Sequence, residues 1–208
     1  FVLIALFSLT FASPALAFDG RAGDKIVIGA DEVINDDLYV TAEEFTLDGT
    51  VKGDLVVFGA YVFINGTVEG DLIAAGNTIV IDGTVKDDAR IAGAALQLGD
   101  KASIGGDLIS AGASLEAKDG STVGQDVVFA GGQSLLAGSI DRNLWVGTGA
   151  LEVSGEIGGD VQAEVGEAQE GSPSPSMYIG DVKVSTPSVQ PGLTIEEREK
   201  IGGDFTYT

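Results

Sequence analysis

The sequence predicts an all-β chain wound as a single-stranded parallel β-helix, a three-sided solenoid with coils of about 17 residues. Three observations carry that expectation. A residue pattern recurs every 17 to 23 positions. Apolar residues alternate with a period of two inside each repeat, and 31 of 208 residues are Gly, roughly twice ordinary usage.

Composition limits the chemistry. There is no His and no Cys, which removes Ser-His-Asp and Cys-His catalysis, His or Cys metal sites, thiol redox centres and any disulfide framework. Eleven Lys and Arg stand against 32 Asp and Glu, for a net charge of −21. A nucleic-acid partner is not expected, because phosphate neutralisation needs clustered cations. With 44% hydrophobic residues the chain is too apolar for disorder, so a buried core is expected.

The first element, residues 1–17 (FVLIALFSLTFASPALA), is uncharged and ends in Ala15-Leu16-Ala17, a small-x-small pattern that signal peptidases cut. Seventeen residues with Pro14 near their end fall short of the roughly 20 needed to span a bilayer, so a secretory signal and an exported protein are expected. The natural start is expected upstream, since no Met or basic stretch precedes the segment.

Residues 18–165 read as the β-helix core. An acidic residue before an apolar one marks each coil: Asp37-Leu38, Asp54-Leu55, Asp71-Leu72, Asp88-Ala89, Asp107-Leu108, Asp126-Val127 and Asp160-Val161, with Asn143-Leu144 in one slot. Three positions earlier an apolar column runs Ile34, Val51, Val68, Val85, Ile104, Val123, Ile140 and Ile157. Eight and ten positions later run Phe45, Val62, Ile79, Leu96, Leu115 and Leu151, then Leu47, Ile64, Ile81, Leu98, Leu136 and Val153. Glycines at Gly59, Gly76, Gly93, Gly112 and Gly131, and at Gly49, Gly66, Gly83, Gly138 and Gly155, mark corners. Three short strands and three corners then make one coil, stacked on its neighbours at about 4.8 Å. Two spacings of 19 place two extra residues at Gly99–Ala102 and Lys118–Ser121.

Residues 166–177 are expected to be a Pro/Ser-rich loop insertion, because Pro173 and Pro175 cannot pair in a central ladder. Residues 178–208 are expected to continue the β-helix, with a coil at Asp181-Val182 and another at Asp204-Phe205. There LTIEEREKIGGD (Leu193–Asp204) aligns with LQLGDKASIGGD (Leu96–Asp107), and the strand is expected to be truncated at Thr208.

Coils such as GTVKGDLVVFG (Gly49–Gly59), NGTVEGDLIAAG (Asn65–Gly76) and DGTVKDDARIAG (Asp82–Gly93) resemble the bactofilins, polymer-forming bacterial cytoskeletal proteins. The resemblance covers about Gly23 to Gly166 and extends more weakly to Thr208. It implies a right-handed, triangular parallel β-helix that assembles end to end without nucleotide, commonly near a membrane. Bactofilins are usually cytoplasmic, and the export-like start departs from that pattern.

The stacked column Asp54, Asp71, Asp88, Asp107 and Asp126 has two readings. Each Asp could bond its own turn as an Asx motif, the favoured account, or the column could bind calcium through carboxylate oxygens. The column Thr50, Thr67, Thr84, Ser103, Thr122 and Ser139 is read as a hydroxyl ladder rather than an ice-binding array. Asp87-Asp88 beside Arg90 is the one acid-base hint, and adjacent strand carboxylates diverge. No catalytic residue and no cofactor are expected. Asn65-Gly66-Thr67 reads as a tight turn rather than a glycan site.

One feature favours interaction. Val56, Ile73, Ile109, Val128 and Trp145 occupy outward positions beside Ala75, Ala92, Ala111 and Ala130. An apolar outer face is expected to contact another chain, a membrane or a C-terminal segment, or to be covered by Gly166–Ser176 or Ser185–Gly192. The expected function is a self-associating structural scaffold of a bacterial or archaeal cell envelope. The alternative is a monomeric binding module or adhesin-like stalk.

Overall fold

The computed structural model describes residues 19–166, 182–196 and 200–208. The signal-like segment 1–17 and most of the loop 166–177 lie outside the described residues. Ten-residue strands β1 (Asp19–Ile28), β3 (Leu38–Leu47), β5 (Leu55–Ile64), β7 (Leu72–Ile81), β9 (Ala89–Leu98), β11 (Leu108–Ala117), β13 (Val127–Leu136) and β15 (Leu144–Val153) follow one another. Between them lie two-residue strands β2 (Val33–Ile34), β4 (Thr50–Val51), β6 (Thr67–Val68), β8 (Thr84–Val85), β10 (Ser103–Ile104), β12 (Thr122–Val123) and β14 (Ser139–Ile140), and β16 (Glu156–Ile157) follows β15. Long strands pair only with long strands and short with short, all in parallel. The result is an all-β solenoid of about nine turns.

The expected three strands per coil prove to be two. In β5 the buried residues are Leu55 and Val57, then Val62 and Ile64, so the inward phase reverses across Gly59-Ala60. One continuous strand therefore bends round a corner and supplies the first and second sides, and the short strand supplies the third. Corner glycines are there for space. A Cβ on Gly76 would lie 2.0 Å from the Gly59 carbonyl oxygen of the preceding coil, and one on Gly155 would lie 1.9 Å from that of Gly138. Among the described residues only Gly120 and Gly192 use a positive φ, at 105° and 92°.

Register explains the inward columns. Leu38 sits over Leu55, Leu55 over Leu72 and Leu72 over Ala89, all fully buried. Each buried Leu, Ile or Val contributes about 1.5–3 kcal/mol, and the gain recurs in every coil. The column Phe45, Val62, Ile79, Leu96, Leu115 and Leu151 has one polar member, Ser134, whose fully buried hydroxyl has no hydrogen-bond partner. Its coil carries Phe129, the bulkiest inward residue of the first side, so a small residue at 134 balances volume at the cost of an orphaned hydroxyl.

The two 19-residue coils are as expected: Ala102 N–H donates to Gly99 O at 3.0 Å and Ser121 N–H to Lys118 O at 2.9 Å, closing the extra residues into turns. The C-terminal part corrects one expectation. Strand β17 (Val161–Val165) covers the first half of β15, and the chain leaves the coil at the corner after it. It returns as β18 (Gly192–Ile195) on the second half of β15, β19 (Lys200–Ile201) on β16 and β20 (Phe205–Tyr207) on β17. Leu193 pairs with Leu151, in the aligned position that the sequence indicated. The coil expected at Asp181-Val182 lies partly outside the described residues; among those described, Val161 pairs directly with Phe205, and residues 182–191 form no strand. The marker dipeptide and the apolar Val182, Val184 and Val189 that follow it at the inward spacing misled, because Pro187 and Pro191 have no N–H to give a central ladder.

Candidate interaction surfaces

The Asp column forms a ladder between coils. Asp71 N–H donates to Asp54 Oδ1 at 2.9 Å, Asp88 N–H to Asp71 Oδ1 at 3.1 Å, Asp107 N–H to Asp88 Oδ1 at 2.8 Å and Asp126 N–H to Asp107 Oδ1 at 3.0 Å. Asp37 begins the ladder by accepting from Asp54, and Asn143, Asp160 and Asp204 continue it. The local Asx turn expected at these positions is thus replaced by a bond to the next coil. Neighbouring carboxylates at strand spacing repel by about 1 kcal/mol at water-like dielectric. A hydrogen bond to a charged acceptor is worth about 1.5–3 kcal/mol, so the ladder outweighs the repulsion.

The second carboxylate oxygens are partly neutralised. Arg90 spans Asp71 Oδ2 and Asp88 Oδ2, each at 2.8 Å, and Arg142 reaches Asp126 Oδ2 at 3.2 Å. The hydrogen bond that Arg90 donates to Asp71 is the chief cause that raises the Arg90 pKa. Asp87 is exposed beside this clamp, so the acid-base hint at Asp87-Asp88-Arg90 resolves into coil stitching. Among the described residues, no three acidic side chains converge as a metal site would require. Asn65 Nδ2 donates to Asp48 Oδ1 at 2.8 Å, which occupies its amide within a corner. In the hydroxyl column the one side-chain bond along the stack joins Thr122 to Ser103 at 3.3 Å.

The first side carries the expected apolar face. Register stacks Tyr39, Val56, Ile73, Arg90, Ile109, Val128 and Trp145 in one column. Ile73, Ile109, Val128 and Trp145 are 38–42% exposed, and Val56 is half-buried. Sequence reasoning missed Tyr39 and Phe58, which are 42% and 51% exposed and extend the patch over its N-terminal coils. It also left out Arg90, whose place in the column follows from counting two residues past Asp88.

The second side is covered. Outward residues Thr78, Ala95, Ser114, Gln133 and Ala150 are at most 1% exposed. Lys183 N–H donates to Thr78 Oγ1 at 3.3 Å, Gln133 Nε2 donates to Pro187 O at 2.6 Å, and Val189 is fully buried, so residues 182–191 lie along this side as a strap. The Lys183 ammonium bonds Glu44 Oε2 at 2.5 Å and stands 4.0 Å from the Tyr61 ring centroid, while Lys25 reaches Glu44 Oε1 at 2.6 Å. Lys183 first, and Lys25 second, lower Glu44 to a pKa of about 2. Ser185–Gly192 therefore folds back, as one expectation had it, but onto the second side and not over Ile73, Ile109, Val128 or Trp145. The sequence signal was present: seven residues past the marker, Glu44 and Tyr61 give way to Thr, Ala, Ser, Gln and Ala.

Compared with known proteins, the chain matches no family model, no curated protein and no solved structure.

Proposed function

We propose that the chain is a non-enzymatic structural scaffold, exported and associated with a cell envelope, that assembles end to end into filaments as the bactofilins it resembles do. The observation that supports this reading is the uniform parallel stacking of its coils. From β1 to β20 the coils stack as one parallel sheet with a constant strand direction. A parallel sheet edge is a template for another strand. Stacking the end of one solenoid on the start of the next continues that sheet without changing strand direction. Polar side chains support a structural rather than a catalytic reading, since Asp, Asn and Arg groups are spent on joining coils. The uncovered first side favours the alternative of a monomeric stalk that binds a partner laterally.

Negative-stain electron microscopy of the purified chain at low and high salt, with and without calcium, separates these readings. Filaments built of solenoids stacked end to end are expected. Uniform short particles in every condition would exclude the filament and leave the stalk, and a calcium requirement would return the Asp column to the list of ligand sites.

A further inference from the structure

Side chains on the first side form a ridge beside a notch. The ridge is the column Ile73, Arg90, Ile109, Val128 and Trp145, and two residues further along each strand the notch reads Ala75, Ala92, Ala111, Ala130 and Gly147. Residues two apart on a strand point the same way, about 6.6 Å apart, so ridge and notch run side by side up the solenoid. The largest ridge residue, Trp145, shares its strand with the smallest notch residue, Gly147.

Gly147 has no reason for existing within its own chain. Corner glycines such as Gly76 and Gly155 would drive a Cβ into a carbonyl oxygen, whereas a Cβ on Gly147 would meet no atom within 4 Å. Its φ is not positive either. Space is thus left open at an exposed position, unlike at corner glycines such as Gly76 and Gly155.

We propose that the first side pairs with the same side of a second copy of this chain, the two solenoids lying parallel about a twofold axis along their length. That symmetry exchanges left and right across the face while keeping coil height, so each ridge enters the partner's notch: Trp145 over Gly147, Val128 over Ala130, Ile109 over Ala111 and Ile73 over Ala75. The contact is isologous, as a twofold interface must be. A twofold axis across the strands' stacking direction would instead set ridge against ridge. A second copy also repeats at the same strand spacing of about 4.8 Å, so the fit holds coil after coil.

Area and charge agree with this occupant. From Tyr39 to Trp145 the face rises about 30 Å and is about 16 Å wide at ordinary strand dimensions. That gives about 1,000 Å² in total for two partners, at the threshold for a specific interface. Arg90 is the sole charged ridge residue from Tyr39 to Trp145, and it is held by Asp71 and Asp88. The fit is closest towards Trp145, because Val56 and Phe58 are both large. This pairing is lateral and stands whether or not the ends stack.

In sedimentation equilibrium the smallest species of the chain is expected to be a dimer. Gly147→Leu fills the notch without an internal clash, and should weaken dimerisation at least tenfold while leaving the thermal transition of the monomer in place. Trp145→Ala should weaken it too. Spin labels on Thr41→Cys or on Glu164→Cys, in a chain with no other Cys, should give a short intermolecular distance at each end. Distances near the full height of the solenoid at both ends would mean antiparallel copies and overturn the arrangement. A monomer at every concentration, a dimer indifferent to Gly147→Leu, or a monomer that floats with lipid vesicles through Trp145 would overturn the proposal.

Discussion

A recurring Gly-Asp dipeptide turns out to be one device in two parts. The carboxylate oxygen Asp54 Oδ1 receives Asp71 N–H, and the residue just before Asp71 must leave room for that oxygen: a Cβ on Gly70 would stand 2.2 Å from it. Gly106 and Gly203 face the Oδ1 of Asp88 and of Asp160 at 2.2 Å and 2.1 Å in the same way. Gly70→Ala is therefore expected to cost about 1–3 kcal/mol through forced displacement, read as a fall in the urea midpoint. The ladder needs an acceptor rather than a charge, since Asn143 Oδ1 receives Asp160 N–H at 2.9 Å in the place of an Asp. Asp107→Asn should consequently stay within about 0.5 kcal/mol of the parent, whereas Asp107→Ala leaves the Asp126 N–H unpaired and should cost about 1–3 kcal/mol. Equal losses for the two variants would mean that charge, not the acceptor, does the stitching. The column itself was legible in the sequence. Its partner was not, because a carboxylate at a turn can reach either its own backbone or the neighbouring coil, and spacing of 17 fits both.

At the scale of elements, the strap of residues 182–191 is held by few groups, and one of them titrates in an accessible range. Glu44 is lowered from 4.5 to about 2 by Lys183 and Lys25. A folded-state pKa below the unfolded value means the latch is complete above about 4.5 and is lost as pH falls towards 2. Amide exchange across 182–191, corrected for the intrinsic rate, is expected to quicken between pH 5 and pH 2.5, while the Ala95 and Ser114 coils stay protected. Glu44→Gln should reproduce the fast exchange at pH 5. Unchanged exchange in both cases would place the hold in Val189 and the Gln133 bond instead. Periodicity made the coils, their two insertions and the return of the solenoid at Leu193 readable, since each repeats a pattern of inward residues. The strap was not readable by that route. It has no repeat of its own, and its docking shows only as a loss of size and charge in the column from Thr78 to Ala150.

For the whole molecule, charge and shape act in opposite directions on assembly. A net charge of −21 is spread along the solenoid, so laying two copies side by side brings every coil of one near a coil of the other. Stacking end to end brings only the terminal coils together. The Debye length is about 30 Å at 0.01 M salt and about 10 Å at 0.1 M, so lateral repulsion extends across the pair at the first concentration and is largely screened at the second. The apolar gain at Ile73, Ile109, Val128 and Trp145 does not depend on salt in that range. Lateral dimerisation is therefore expected to strengthen by about tenfold or more between those two salt concentrations, with end-to-end growth changing much less. Sedimentation velocity at matched protein concentration measures the first, and filament length in electron micrographs the second. A dimer that weakens as salt rises would show that ion pairs, and not the ridge and notch of the first side, hold the copies together.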